Sequence, residues 1–325
     1  MKKIPVAVFA GGYSAEAAVS LKSAAMVMNN IDRNRFDPVL ITVSKDGWKA
    51  EHNGLPVMVN KSDLSVETQG GSLLPQVAFI MIHGTPGENG ILQGYLDTIG
   101  MPYTTGGVLN MALTFDKGLT TQTLRAMGLP TTTGVLIRPG GSQNHNEIIA
   151  KTGLPCFVKP NRGGSSIGMT KVNRTDQLEG AIATALNEDS QVIVERFISG
   201  TEVTCGVIPW EGGIRALPAT EIVSENEFFD FEAKYLGKSQ EITPARIPDV
   251  TMKAVQDLAE QIYVALECSG MIRVDMIIAD GQPHVIEVNT VPGFTEASII
   301  PQQAAAIGIG KMELITRVIE SSLLK

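Results

Sequence analysis

The chain has 325 residues, 43% of them apolar and 18% charged, a composition that suits a folded protein of two or three domains and argues against a disordered one. A net charge of −8 without any dense run of Lys or Arg argues against a nucleic-acid partner, so any phosphate bound here is small and locally cradled. Three cysteines (Cys156, Cys205, Cys268) lie far apart with no C-x-x-C pair, so neither a disulfide framework nor a zinc site is expected, and a reducing cytoplasm is the predicted location.

The opening MKKIPVAVFAGG imitates a signal peptide, but its apolar run is short, contains Pro5 and enters a glycine turn, which predicts a buried strand over 4–10. A turn at 11–14 and an alanine-rich helix over 15–29 follow. G-x-G-x-x-G is missing there, which removes the dehydrogenase reading, although a helix N-terminus can still hold a ligand. Strands over 37–43 and 77–82, then 83-HGTPGENG-90 and a helix from Ile91 to Ile99, predict a parallel α/β unit ending near residue 104, with ligands at the carboxyl ends of its strands. None of the apolar runs reaches the length of a membrane span.

A helical pattern covers 116–128, after which Pro130 and a Thr-rich strand open a second unit. Strands over 154–159 and 191–197 flank a glycine loop and a helix over 175–187. From Gly200 the texture turns β-rich (202–209, 215–223, 270–278, 284–289), with a helix over 249–266. The segment 224–248 has no clean periodicity and reads as a long functional loop.

Two stretches carry chemistry. In 159-KPNRGGSSIGM-169, Gly163 and Gly168 have the separation of a Walker A loop, but Met169 occupies the lysine position and the cation lies upstream at Lys159. Such a loop offers backbone N–H groups, two hydroxyls and a cation to an anion, or it is a plain flexible hairpin loop. In 272-IRVDMIIADGQPHVIEVN-289, Asp280-Gly281 marks a hairpin turn. A loop of three or five residues would set Asp275 opposite Glu287 and Arg273 opposite Asn289, all on one face. Two carboxylates and an amide oxygen make a hard-oxygen site suited to magnesium; a cross-strand ion network is the alternative. Lys117, Glu195 and Glu202 are further polar candidates.

Taken in order, 11-GGYSAEAAVSLKSA-24, 83-HGTPGENGILQGYLDTIGMPYT-104, 116-DK-117, 158-VKPNRGGSSIGMTKV-172, Glu195 through Glu202, 232-EAKY-235, 273-RVD-275 and 287-EVNTVPGFTEASIIPQQA-304 closely resemble the D-alanine:D-alanine ligases of the ATP-grasp superfamily. The resemblance spans nearly the whole chain. It implies an α/β (α+β) three-domain ATP-grasp fold: residues 1–104 as an N-terminal parallel α/β substrate-binding domain, 105–199 as a central subdomain with the glycine-rich loop, and 200–325 as a C-terminal subdomain with the lid loop and metal site. In that family the phosphate-binding lysine precedes a closing glycine loop, so Met169 is expected where it stands.

By the same resemblance, Lys117, Lys159, Ser166 and Lys234 would contact ATP, with Glu195 and its neighbouring backbone at the adenine and Glu202 at the ribose. Asp275, Glu287 and Asn289 would hold two magnesium ions, with manganese as a substitute and a monovalent cation as an additional ion. Glu16, linked through Ser165 to Tyr235, would hold the ammonium of the first D-alanine, and His83 would lie near its carboxyl group. Arg273 and the N–H of Gly293 would form the oxyanion hole. Ser298, as a helix N-cap, and the N–H of Ile299 would take the second carboxylate. The implied activity is ATP-dependent joining of two D-alanines through an acyl phosphate, for peptidoglycan precursors, by a cytoplasmic homodimer that needs neither nucleic acid nor membrane.

Three departures from the family pattern are Asn89 in the G-E-x-G turn, Ile299 after Ser298, and Phe231 near the lid. Two rivals stand beside the ligase. One is a related enzyme that accepts D-lactate, D-serine or a different amino acid; Tyr235 favours a dipeptide over the D-lactate ester. The other is a nucleotide sensor without ligase activity, against which Glu16, Ser165, Tyr235 and Arg273 speak.

Overall fold

A computed structural model describes residues 3–141, 144–224 and 239–324. The first apolar run forms β1 (Ile4–Gly11), whose Val6–Ala10 segment is fully buried. It is followed by α1 (Ala17–Asn30), β2 (Phe36–Ser44), β3 (Gly47–His52), β4 (Leu55–Val57), the small hairpin β5 (Val66–Thr68) and β6 (Gly71–Leu73), then β7 (Val77–Ile80) and α2 (Ile91–Thr98). The sheet order is β4-β3-β2-β1-β7, with β1 parallel to β2 and β7 and with β3 and β4 antiparallel at one edge. The predicted parallel unit is thus the middle of a mixed sheet. Its missed edge strands are short and half exposed, so they carry little apolar signal.

The turn after β1 is fixed by close approach. A Cβ on Gly11, whose φ is +89°, would lie 2.3 Å from the Val43 carbonyl oxygen. Ser20 of α1 accepts from the Gly11 N–H (2.8 Å) and donates to the Met81 carbonyl (2.7 Å), docking the helix start on the strand ends.

Two short helices, α3 (Val108–Phe115) and α4 (Lys117–Ala126), lead into a second sheet. Asp116 caps α4 by accepting from the Leu119 N–H at 2.9 Å. The sheet contains β8 (Gly134–Ile137), β9 (Cys156–Pro160), β10 (Thr170–Val172) and β11 (Val192–Arg196) in the antiparallel order β10-β9-β11-β8. Helices α5 (His145–Thr152) and α6 (Leu178–Leu186) cover it over a core that includes Val158, Leu178, Ile182 and Val194. The glycine loop connects β9 to β10.

The third sheet runs β15-β14-β12-β16-β17, built from β12 (Thr201–Trp210), β14 (Thr220–Ser224), β15 (Ser239–Ile242), β16 (Ile272–Ala279) and β17 (Gln282–Asn289), with β13 (Gly213–Ala216) paired to β12. The single strand expected over 215–223 is therefore two. Helices α7 (Asp249–Ala265), α8 (Ile299–Ala306) and α9 (Lys311–Leu323) complete the chain. Leu314, Ile315, Val318 and Ile319 of α9 return to the core of the N-terminal sheet. Tyr235, Lys234, Phe231 and most of the expected 224–248 loop lie outside the described residues. No helix among the described residues is long and apolar enough to cross a membrane.

The β16–β17 hairpin reaches the expected pairing by an unexpected route. Its connection is the two-residue turn Asp280-Gly281, both at positive φ (50° and 76°), closed by the Ala279–Gln282 pair. A β-bulge between the Met276–Val285 and Asp275–Glu287 pairs inserts Ile286, and beyond it Asp275 faces Glu287 and Arg273 faces Asn289.

Candidate active site

A cleft of about 1270 Å³ opens between the second and third sheets, and a smaller cavity of about 380 Å³ adjoins it beneath the N-terminal sheet. Every described residue expected at the site lines one or both. Lys159, Ser166, Glu195, Glu202 and Asp275 line the larger; His83, Asn289, Gly293 and Ser298 line the smaller; Glu16, Lys117, Ser165, Arg273, Glu287 and Ile299 line both.

Lys117 stands at the first position of α4, where its Nζ contacts Glu287 Oε1 at 2.7 Å and donates to the Gly163 carbonyl at 2.6 Å. Burial works against its charge, but Glu287, Glu195 and Glu88 more than offset that, so the ammonium is held above its ordinary range. Buried Asn161 fixes this geometry. Its Oδ1 accepts from the Gly118 N–H (2.8 Å), its carbonyl accepts from the Lys117 N–H (3.1 Å), and its Nδ2 donates to Gln191 (3.2 Å). The composition of the loop hid this role, since an Asn beside glycines reads as turn chemistry.

Lys159 projects from β9 onto Glu195 of the neighbouring β11. Glu195 is 2% exposed and also accepts from Thr132 Oγ1 at 2.8 Å. Its carboxylate thus serves to hold Lys159, and Arg196, Phe197 and Ile198 beside it line the cleft.

The glycine loop crosses to the N-terminal sheet. Ser165, in the left-handed region with φ of 58°, donates from Oγ to Glu16 Oε1 at 2.6 Å. A Cβ on Gly164 would stand 2.9 Å from Glu16 Oε2, so a side chain here would push the carboxylate from its present place. Loop, Glu16 and smaller cavity therefore form one structure.

His83 is buried, and burial lowers its pKa, so the ring is neutral. Nδ1–H donates to the Val291 carbonyl (2.8 Å), and Nε2 accepts from Ser23 Oγ (3.0 Å), which in turn accepts from the Phe294 N–H (3.2 Å). Both ring nitrogens are thus engaged in shaping the 291–294 loop. Glu88, not anticipated from the sequence, completes the clamp: its oxygens accept from the N–H groups of Gly84 (2.6 Å) and Val291 (3.2 Å). Burial, reinforced by the charge of Glu16, pushes its carboxyl up to about 7. An acidic residue inside 83-HGTPGENG-90 was the available signal. The neighbouring Asn89 shapes the turn, donating to Thr85 Oγ1 at 3.1 Å and accepting from the Ile91 N–H at 3.3 Å.

On the hairpin face, Arg273 grips Asp275 with Nε and a terminal nitrogen, each at 2.8 Å. Asp275 also accepts from Thr204 Oγ1 (2.5 Å) and Asn289 Nδ2 (3.0 Å). Burial opposes the charge of Arg273, but Asp275, Glu287 and Glu241 outweigh it and keep the guanidinium protonated. Ser298 occupies the N-cap position of α8, but it does not cap the helix. Its Oγ instead accepts from the Thr295 N–H at 2.8 Å, correcting the N-cap expectation. The reason is local, since the loop has its own donor to satisfy in the Thr295 N–H; the hydroxyl also meets Thr295 Oγ1 at 2.9 Å and packs on Gly293, where a Cβ would lie at 3.0 Å. Gln303 seats α8 on the third sheet, donating to the Thr204 carbonyl (2.9 Å) and Thr220 Oγ1 (3.0 Å) and accepting from the Gly206 N–H (3.0 Å).

Comparison with known proteins gives this geometry a context. The family described as D-ala D-ala ligase N-terminus matches residues 5–106, and D-ala D-ala ligase C-terminus matches residues 123–320. A D-alanine–D-alanine ligase of Christiangramia forsetii is 45% identical over 323 residues, covering 99% of this chain and 98% of that one. The crystal structure of the VanG D-Ala:D-Ser ligase from Enterococcus faecalis superposes with a TM-score of 0.87 at 34% identity, covering 99% of this chain and 100% of the other. That of D-alanine–D-alanine ligase from Bacillus anthracis complexed with ATP gives 0.80 at 31%, covering 99% and 98%. With its two cavities meeting at Glu16 and Ser165, the chain belongs to the D-alanine–D-alanine ligase family and has the ATP-grasp fold.

Proposed function

We propose that this protein joins two molecules of D-alanine into D-alanyl-D-alanine at the expense of ATP, supplying a precursor of peptidoglycan. The observation that carries the reading is the Ser165–Glu16 hydrogen bond at 2.6 Å, which makes the anion-binding loop one wall of the cavity where an amino acid would sit. In this reading residues 105–199 and 200–325 clasp the nucleotide, while residues 1–104 present the first substrate.

Lys117, Lys159 and the N–H groups around Ser165 and Ser166 would hold the triphosphate, the backbone beside Glu195 the adenine, and Glu202 the ribose. The carboxylates of Asp275 and Glu287 and the amide oxygen of Asn289 form an all-oxygen donor set whose hardness fits a divalent ion, which would compete there with Lys117 and Arg273 for the two carboxylates. Magnesium held there would neutralise phosphate charge.

Glu16 would bind the ammonium of the first D-alanine. A carboxylate oxygen of that D-alanine attacks the γ-phosphorus, ADP leaves, and a D-alanyl phosphate forms. The second D-alanine, once its ammonium has given up a proton, attacks the carbonyl carbon with the free amine, Arg273 and the Gly293 N–H stabilise the oxyanion, and inorganic phosphate departs. The start of α8, at Ser298 and Ile299, would receive the second carboxylate. A homodimer and a cytoplasmic setting belong to the same reading.

The test is ADP release with ATP, magnesium and D-alanine, run beside L-alanine, D-serine and D-lactate with products identified by mass. Equimolar ADP and dipeptide from D-alanine alone is the expected result. The likeness to a D-Ala:D-Ser ligase favours one second reading, D-serine as acceptor, and a mixed dipeptide as main product would establish it. ATP binding without turnover on any substrate would refute both.

A further inference from the structure

We infer that Glu241 is the ammonium-binding carboxylate of the acceptor half of the smaller cavity, and therefore a determinant of the choice between amino-acid and hydroxy-acid acceptors. The inference rests on the ligase reading. A ligase that joins two free amino acids must receive two ammonium groups in one cavity, and the acceptor's must then pass a proton to a neighbouring base, a part open to a carboxylate beside it, before its nitrogen attacks. Four carboxylates line that cavity: Glu16, Glu88, Glu241 and Glu287. Glu287 holds Lys117, Glu88 spends both oxygens on backbone N–H groups, and Glu16, bonded to Ser165, takes the donor's ammonium in the reading above. Glu241 accepts a neutral bond, from Gln302 Nε2 to its Oε2 at 3.3 Å.

Its placement fits the acceptor. Gln302 lies one turn into α8, and the same Nε2 donates to the Ala297 carbonyl at 2.9 Å, so Glu241 is tethered beside the turn that leads through Ser298 into the helix. The ammonium and carboxylate of an α-amino acid sit on one carbon, so their recognition groups must be neighbours. The start of α8 for the carboxylate and Glu241 for the ammonium meet that requirement, while Arg273, also lining the cavity, stands where the bond is made. Burial raises the carboxyl of Glu241, and Arg273 and Gln302 only partly offset it, which leaves a desolvated acid that an incoming cation would stabilise. Arg273 itself is committed to Asp275 through two hydrogen bonds. D-lactate has a hydroxyl in place of the ammonium and can offer Glu241 one hydrogen bond but no opposite charge.

Initial rates of the full-length protein over a D-alanine series resolve two Michaelis constants, one for each site. Glu241→Gln is expected to raise the acceptor constant about tenfold or more, the scale of one charge-assisted hydrogen bond, and to leave the donor constant and the KM for ATP within about twofold. In mixtures of D-alanine and D-lactate the ester-to-dipeptide ratio should rise by a similar factor. Glu241→Asp, which keeps the charge at shorter reach, should fall between wild type and the Gln variant, and it carries the test if the Gln variant fails to fold. An unchanged acceptor constant and product ratio would overturn the assignment, as would an equal rise in both Michaelis constants. No ADP release by the wild type with D-alanine would overturn the ligase reading and this inference together, a result visible before any variant is made.

Discussion

Lys117 Nζ lies 2.7 Å from Glu287 Oε1, so one cation of the second sheet's leading helix neutralises a carboxylate of the third sheet across the cleft. The same nitrogen holds the Gly163 carbonyl, which couples the glycine loop to the hairpin. Lys117→Met should therefore act twice. ATP affinity falls about tenfold or more, and stability drops by about 1–3 kcal/mol because Glu287 loses the Lys117 ammonium. Adding Glu287→Gln should restore part of the melting temperature but none of the ATP affinity, as read by thermal unfolding and nucleotide titration.

Arg273 and Lys159 should separate chemistry from binding. Arg273→Lys keeps a positive charge but loses the two-pronged grip on Asp275, and an oxyanion role predicts a kcat lowered about 10²–10³-fold with ATP affinity nearly intact. Arg273→Ala should also weaken nucleotide binding, because Asp275 loses its counter-ion. Lys159→Ala should weaken ATP binding first and take from buried Glu195 its cation, leaving the Thr132 hydroxyl in place. Wild-type turnover by Arg273→Lys would remove the oxyanion assignment.

Gly164 offers a steric test of the Glu16 pocket. A methyl group there meets both carboxylate oxygens, at 2.9 and 3.0 Å, so Gly164→Ala should raise the KM of the first D-alanine about tenfold with little change for ATP. Ser165→Ala removes the 2.6 Å hydrogen bond without that clash and should give a smaller rise, about threefold to tenfold. Steady-state kinetics with each substrate varied in turn distinguish the two.

Glu88 gives the fold a pH signature. Its carboxyl, pushed up by burial to about 7 from an ordinary 4.5, binds a proton more tightly in the folded state than in the unfolded one. Its contribution to stability is fully present below about pH 4.5 and is lost as pH rises through about 7, with a slope near 1.4 kcal/mol per pH unit at most. Glu88→Gln should abolish that slope. It also sets an amide N–H against a backbone donor, which costs about 1 kcal/mol at low pH. Melting curves from pH 5 to 9 read both effects.

The sequence exposed what repeats or alternates. Arg273, Asp275, Glu287 and Asn289 share a face because strand side chains alternate, and that was legible before the turn geometry was known. The turn length was not: a bulge leaves no compositional trace, so a loop of three or five residues was needed to obtain a pairing that Asp280-Gly281 and Ile286 provide together. Helix α3 was missed because VLNMALTF is apolar nearly all round and too short to show a period. The site residues named by resemblance line the two cavities where described, but what several of them touch was hidden. The ring nitrogens of His83, the hydroxyl of Ser298 and the carboxylate of Glu195 are spent on protein partners, and Glu88 and Asn161 act through backbone N–H and carbonyl groups that no side-chain pattern reveals.

The bulge at Ile286 has an evolutionary consequence. In an unbroken strand, consecutive side chains face opposite ways, yet Ile286 and Glu287 both line the cleft, an apolar wall beside an acid. The extra residue is also slack in the chain. A single deletion anywhere from Gln282 to Ile286 can be absorbed by straightening β17, which keeps Glu287 opposite Asp275, whereas a deletion between Met276 and Ala279 in β16 has no spare residue to draw upon. Length variation in this hairpin should accordingly be tolerated on one strand and punished on the other.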